Sequence, residues 1–175
     1  GSFKTRAPEI TLSKLTSGGI TTVVGLLGTD GTTRSVENLV AKAKALKEEG
    51  ITVFAHTGSY EYPTVTLTDS IKKDICFIEE IIGVKLALSD HRAPNVSNLE
   101  LQRVASDARV AGMLSGKAGI VVLHMGDGKK GLQPVREILE ETEIPMKTIR
   151  PTHVNRREEL LEEAFDYAKA GGKID

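Results

Sequence analysis

Tryptophan is absent from the 175 residues, aromatic side chains make up only 4% of them, and there is a single cysteine. One cysteine cannot close an internal disulfide or offer a metal a Cys pair, so Cys76 reads as a small core residue in a reducing compartment. Neither sign of charge is in excess, with 23 Lys and Arg against 24 Asp and Glu. Neutralising phosphates takes clustered surplus cations, so nucleic acid and anionic membrane are not expected partners. No apolar run approaches the ~20 residues of a membrane span, and no secretory signal opens the chain, which together give a cytoplasmic expectation. The opening Gly1-Ser2 reads as a cloning remnant and is kept out of fold reasoning. The length suits one domain with a real core but falls short of the roughly 250 residues of a complete (β/α)8 barrel.

What is present is an alternation of short β-branched runs with longer helical patterns. Residues 20–27 form a near-continuous apolar run between glycine pairs, which predicts a strand buried on both faces. Val36, Leu39, Val40, Ala43 and Leu46 follow at helical spacing, with Ser35 as N-cap and Gly50 as stop. Strands are expected at 51–56, 84–88, 120–124 and 146–149. Helices are expected at about 69–81, 98–114, 132–141 and 157–170, with a sixth strand opening at Lys173-Ile174-Asp175. Residues 58–68 form a polar connection. Strand-helix repetition implies a parallel sheet, either doubly wound or an arc of a barrel, with its chemistry at the C-terminal strand ends. No repeat or linker divides the chain, so one domain is expected.

Four histidines, His56, His91, His124 and His153, fall at or just beyond such strand ends. Neutral imidazole is the commonest metal ligand, so a metal site is the leading reading, and His124 and His153 end consecutive strands. Lys85 stands between apolar neighbours inside a strand. It can pair with Asp90 or Glu61, or, as a neutral amine, attack a carbonyl or add carbon dioxide to give an anionic carbamate that bridges two cations. Arg92 and Arg156 follow His91 and His153 and suit a clamp for carboxylates. Tyr60 and Thr29 lie in neighbouring loops and offer hydroxyls to the same mouth. Gly126 to Gly131 spell G-x-G-x-x-G after a strand, which keeps an NADP-binding α/β domain as an alternative. Gly112 to Ala118 miss a phosphate loop by spacing and by the missing Ser/Thr.

Five motifs in order carry a resemblance. Val23-Val24-Gly25-Leu26-Leu27-Gly28-Thr29-Asp30, Thr57-Gly58-Ser59-Tyr60, Ile82-Gly83-Val84-Lys85-Leu86-Ala87-Leu88-Ser89-Asp90-His91-Arg92, Leu123-His124-Met125-Gly126-Asp127 and Pro151-Thr152-His153-Val154-Asn155-Arg156 resemble the isoaspartyl (β-aspartyl) dipeptidases of the amidohydrolase superfamily. The resemblance implies a partial (β/α)8 TIM-type barrel, about strands 2 to 6 of a metal-dependent hydrolase, as one incomplete α/β domain over residues 1–175. It implies a zinc-dependent dipeptidase that hydrolyses the amide of small β-aspartyl dipeptides. Lys85 would be the carboxylated lysine bridging two zinc ions, with His124 and His153 as ligands to one of them. Tyr60 would polarise the scissile carbonyl or stabilise the oxyanion. Thr29, Arg92 and Arg156 would hold the carboxylates and amino end of the substrate.

On this resemblance His56 and His91 are not ligands, and the Gly126 to Gly131 loop is a tight turn. The family's His-x-His pair, its proton-shuttling Asp, a substrate-binding Glu and its small β-domain have no counterpart here. At most one zinc site is therefore expected, and the segment alone is expected to be inactive. A rival reading is a non-catalytic half-barrel whose unpaired edge strands drive homo-oligomerisation.

Overall fold

The computed structural model describes residues 3–175, so the Gly1-Ser2 reading lies outside the described residues. Its strands are β1 (Thr22–Gly25), β2 (Thr52–Gly58), β3 (Ile81–Leu88), β4 (Ile120–Met125) and β5 (Ile149–Thr152). They alternate with helices α1 (Leu12–Ser17), α2 (Val36–Glu48), α3 (Ile71–Phe77), α4 (Asn98–Ser115), α5 (Gln133–Glu141) and α6 (Glu158–Lys169). The five strands are all parallel and lie in strict chain order β1-β2-β3-β4-β5. A doubly wound sheet reverses its strand order part-way, whereas a barrel does not. The strands curl into half of a TIM-type barrel with the helices outside.

Serine hydroxyls start three of the helices. Ser35 and Ser70 accept from the backbone N–H of Asn38 and Lys73, and Ser97 forms a reciprocal capping box with Glu100. Alternate residues of β3 and β4, among them Val84, Leu86, Leu88, Val121, Leu123 and Met125, face outward into the layer between sheet and helices. Leu101, Val104, Ala105 and Ala108 of α4 and Leu132, Ile138 and Leu160 meet them there. The close seat of α4 needs Gly112, since a Cβ there would come within 2.6 Å of the Gly119 Cα. By the period of two, Lys85, Ala87, Val122, His124, Arg150 and Thr152 face the concave side.

Several expectations change. Residues 20–27 do not form a strand buried on both faces: β1 is four residues long and Ile20, Val24 and Leu26 are each about two-fifths exposed, at 41%, 41% and 40%. The helix expected over 69–81 ends at Phe77, and Ile81 and Ile82 open β3 instead. Its termination comes from another element, because the Lys117 Nζ donates to the carbonyls of Ile75, Ile78 and Ile81 at 2.7, 2.6 and 3.1 Å. Residues 146–148 form a 3-10 turn and the strand follows at Ile149–Thr152. No sixth strand forms at 173–175, although the Asp175 N–H donates to the Pro151 carbonyl at 3.0 Å. The short helix α1, with only Leu15 buried, gave no periodic signal.

Two polar anchors hold the frame. The fully buried Asp74 carboxylate accepts from the hydroxyls of Thr57 (2.5 Å) and Thr68 (2.6 Å) and from the N–H groups of Leu67 and Thr68 (both 2.9 Å). It thereby fixes the connection after β2 to α3. The Tyr167 hydroxyl, its pKa pushed up to about 12 by burial, lies 3.1 Å from both the Met146 and Ile149 carbonyls and ties α6 to the start of β5. Removing the carboxylate strands four donors at once, whereas removing the Tyr167 hydroxyl takes a single donor from two carbonyls. Chemical denaturation should show Asp74→Ala costing about 3 kcal/mol and Tyr167→Phe about 1 kcal/mol. The reverse order would overturn the account.

Candidate functional site

Parallel register sets the depth of the site. Lys85 pairs with Val122 across the β3–β4 ladder, and Ala87, one inward position higher, pairs with His124. His124 in turn pairs with Thr152, the last residue of β5. The next residue, His153, has φ of 62°, a left-handed conformation rare outside glycine that costs about 1 kcal/mol or more. With this bend its ring stands edge-on to that of His124, the centroids 4.5 Å apart.

The Lys85 side chain is buried and its amine makes no hydrogen bond or ion pair among the described residues. Burial lowers its pKa from 10.5 to about 8, with Asp175 giving only partial opposition. The pairing considered with Asp90 or Glu61 does not form, because Asp90 is taken by Arg92. That carboxylate accepts from Arg92 Nε (2.9 Å), Nη2 (2.8 Å) and the backbone N–H (2.8 Å), which holds its pKa well below the usual range.

His124 is the hub. The Tyr60 hydroxyl lies 2.6 Å from its Nδ1 and 2.9 Å from its Nε2. Nη2 of Arg92 and Nη2 of Arg156 each approach Nε2 to 3.3 Å. We assign the proton to Nδ1, since guanidinium donors require a lone pair on Nε2. Burial, then Lys85, His153 and Arg156, push the His124 pKa down to about 4 against the opposing charge of Asp90, so the ring is neutral. His153 is shifted the same way, first by its partial burial and then by Lys85 and Arg156. Burial raises the Tyr60 pKa against a hydrogen bond from Thr29 and the charge of Arg92, which leaves a phenol able to donate. The Arg92 Nη1 reaches the Thr29 hydroxyl at 3.4 Å, and its guanidinium carbon lies 5.3 Å from the Tyr60 ring centre.

The structure thus brings together all seven expected residues, Thr29, Tyr60, Lys85, Arg92, His124, His153 and Arg156. It does not bring in the other two histidines. His56 lies inside β2, buried against Gly83, with Nδ1 unpartnered and its pKa lowered to about 4 by burial, then by Lys85 and Arg150. His91 is exposed beside Asp90 and Asp127, at 3.6 and 3.7 Å. Sequence reasoning missed Asp90 as the anchor of Arg92, since the sequence equally offered that acid to Lys85.

The glycine loop has a packing explanation. A Cβ at Gly126 would meet Asp90 at 2.4 Å and one at Gly128 the Ser89 backbone at 2.5 Å, so these glycines let the β4–α5 loop close on the β3–α4 loop. Gly112 to Ala118 prove to be the end of α4 and its left-handed cap at Gly116.

Among the described residues no three His, Cys, Asp or Glu side chains are grouped to hold a metal. A lysine is outside that set, and the donors that do converge are two neutral imidazoles and a buried, unpartnered amine that burial drives toward its neutral form. That chemistry fits a zinc site in which the third donor is the carbamate of Lys85.

No protein-family model matches the chain. Two solved structures of β-aspartyl dipeptidase from the thermophilic keratin degrader Fervidobacterium islandicum AW-1, one in complex with the β-Asp-Leu dipeptide, are 51% identical to it with TM-scores of 0.97. The matches cover 99% and 100% of this chain but 47% of those proteins, so the chain spans about half their length. An organophosphorus hydrolase variant from Deinococcus radiodurans shares only the fold, at 17% identity and TM-score 0.61 over 93% of this chain and 52% of its own. A lactonase variant from the same organism does likewise, at 19% identity and TM-score 0.60 over 92% of this chain and 53% of its own.

The unpaired Lys85 makes stability depend on pH. The unfolded chain releases this proton near 10.5 and the folded chain near 8. Below 8 both states hold the proton and the fold carries the full cost of a buried ammonium, about 3 kcal/mol. Between these values the cost fades, and above them it is gone. In chelator-treated, carbon-dioxide-depleted buffer, Lys85→Met should exceed the parent in stability by about 3 kcal/mol near pH 7, the gap closing toward pH 10.5. Urea denaturation across that range checks this, and a pH-independent gap would refute it.

Proposed function

This chain is similar over its full length to the β-aspartyl dipeptidases, and from that premise we propose that it is the substrate-gripping, metal-holding part of a zinc-dependent hydrolase of β-aspartyl dipeptides. The observation that carries the reading is the convergence of Tyr60, Arg92, Arg156 and His153 on the one buried ring of His124, above the unpaired Lys85.

A β-aspartyl dipeptide carries two carboxylates, one left free on the aspartyl unit and one at the C-terminus. Arg92 and Arg156 offer two planar guanidiniums at one mouth, which suits paired carboxylate recognition. Asp90 fixes the Arg92 fork before any ligand arrives, so little rotamer entropy remains to be lost on binding. The Thr29 hydroxyl, within reach of Arg92, adds a neutral partner on the β1 side. The Tyr60 phenol, kept protonated by burial, donates to the carbonyl oxygen as negative charge grows on it.

Lys85 as a carbamate, with His124 and His153, would hold the metal. When bound, zinc would supply a Lewis acid for the amide carbonyl and a nucleophile at neutral pH. The donors to a second metal and the proton-shuttling carboxylate that the resemblance implies are not among these residues. Binding without turnover is therefore proposed for the chain alone.

Calorimetric titration with zinc should give one site in the parent chain. Lys85→Ala/His124→Ala should weaken it by at least about 10–100-fold, the loss that even outer-shell changes cause. Equal zinc binding by both proteins would sink the proposal. In the same samples, β-Asp-Leu should remain uncleaved, and should protect the parent against thermal unfolding more than it protects Arg92→Ala/Arg156→Ala.

A further inference from the structure

The loop after β4, Gly126 to Gly131, is half glycine, so its backbone has little restriction of its own. Contacts from two other elements hold it. On one side the Ser89 hydroxyl donates to the Gly131 carbonyl at 2.8 Å, and the Gly128 N–H donates to the Ser89 carbonyl at 2.7 Å. On the other side Glu163 of α6 accepts the Leu132 N–H at 2.7 Å and Arg136 Nη2 at 3.1 Å, both on Oε2. The fit of this carboxylate against the loop is close, since a Cβ at Gly131 would lie 2.6 Å from its Oε1.

Leu132 precedes α5 and offers no side-chain cap, so Glu163 supplies from α6 the acceptor that the start of α5 lacks. Capping α5 would be a purely structural role, but the loop carries the contact on to the site. Ser89 stands immediately before Asp90 at φ of 50°, a conformation that a serine keeps only where its neighbours hold it. Asp90 packs against Gly126, where a Cβ would meet it at 2.4 Å, and its carboxylate takes Nε and Nη2 of Arg92 at 2.9 and 2.8 Å. The Arg92 side chain is 33% exposed, so this carboxylate and not burial sets its direction. A continuous path therefore runs from α6 through the glycine loop, Ser89 and Asp90 to the Arg92 guanidinium.

We propose that Glu163 and Ser89 are positioning residues for Arg92, a latch that clamps the glycine loop from both sides and so aims the guanidinium at the mouth. Neither forms a hydrogen bond to any of the seven site residues among the described residues, and both act through Asp90. The role toward substrate rests on the reading of Arg92 as a carboxylate-binding arm. Without the Glu163 carboxylate the Leu132 N–H and Arg136 lose their acceptor and the glycine loop regains its freedom. Ser89 then loses the fixed partners at Gly128 and Gly131, and the Asp90 fork loosens with it.

Nitrogen-15 NMR of the arginine Nε–H groups in the full chain tests it, with the Arg92 signal identified by its loss in Arg92→Lys. Glu163→Ala should speed exchange of the Arg92 Nε–H with water by at least about tenfold and Ser89→Ala by about fivefold, the sizes set by losing a charged and a neutral hydrogen bond. Glu163→Gln, whose amide oxygen can still accept from Leu132, should recover most of the slow exchange. Glu162→Ala, one position away on α6, should leave it as in the parent. A general loss of folding would speed every arginine signal together and would not be rescued by glutamine. Unchanged Arg92 exchange in Glu163→Ala and Ser89→Ala overturns the proposal, as does equal acceleration by Glu162→Ala. In calorimetry β-Asp-Leu should bind Glu163→Ala more weakly than the parent, with Glu163→Gln between them. A parent that does not bind β-Asp-Leu would instead sink the reading of Arg92 as a substrate arm, and with it the latch's role toward substrate, whatever the exchange rates show.

Discussion

A buried amine without a partner is the constraint around which the rest of this fold is arranged. Lys85 sits mid-strand in β3, flanked by Gly58 across one ladder and Val122 across the other. Neither neighbour can accept a proton or balance a charge with its side chain. Gly58 cannot even be enlarged, since a Cβ there would lie 2.4 Å from the Lys85 carbonyl oxygen. A structural lysine in such a place would be paired, because an unpaired buried charge is among the more destabilising features a core can carry. The sheet tolerates it because its other face is continuous apolar packing from α3 to α6. Stability on the convex side thus permits a strained electrostatic choice on the concave side.

Backbone strain occurs at the same rim, besides Asp69 and Asn95 elsewhere in the loops. Ser89 and His153, the residues just past β3 and β5, both hold left-handed conformations. Each redirects the chain at the level of the His124 ring, one to bring Asp90 and Arg92 over it and the other to turn an imidazole back toward it. Gly126 and Gly128 then let the loop after β4 close without a side chain in the way. Pre-arrangement here comes from short loops held on rigid strand ends, which is how barrels of this kind place several side chains around one point.

How much of this was legible in the sequence depended on the range of the interaction concerned. The strand-helix alternation and the cap at Ser35 are local, and they read correctly, while the equally local caps at Ser70 and Ser97 went unread. The end of α3 was misread because the cation that stops it, Lys117, arrives from beyond α4 and caps three carbonyls at once. An apolar run from Ile71 to Ile82 has no internal sign of that. β1 read as doubly buried because composition shows an apolar strand but not whether anything covers its concave face. The residues that converge on His124 were singled out through motif order, while the Asp90–Arg92 bond was not, since Asp90 was considered as a partner for Lys85. His56 illustrates the converse, a histidine near a strand end whose ring packs over Gly83 one level below the others.

The charge distribution at the site bears on what it can accept. Lys85, Arg92 and Arg156 are cationic groups around His124, and Asp90 is the one acid among them, already matched by Arg92. A field of that sign favours carboxylates and keeps both imidazoles neutral, with lone pairs ready to donate. The same field repels a divalent cation. On the proposed function the two tendencies would be reconciled by a change of sign at Lys85: the ammonium would lose one proton, and the neutral amine would add carbon dioxide with release of a second. The product would be an anionic two-oxygen ligand, with the local charge lower by two than with the ammonium. The lowered proton affinity of this lysine and the absence of any competing partner would favour that conversion near neutral pH. On the proposed function, metal uptake and lysine modification would be one linked event, and the arginines would stay free for the substrate because the metal's charge would be met from beneath by Lys85.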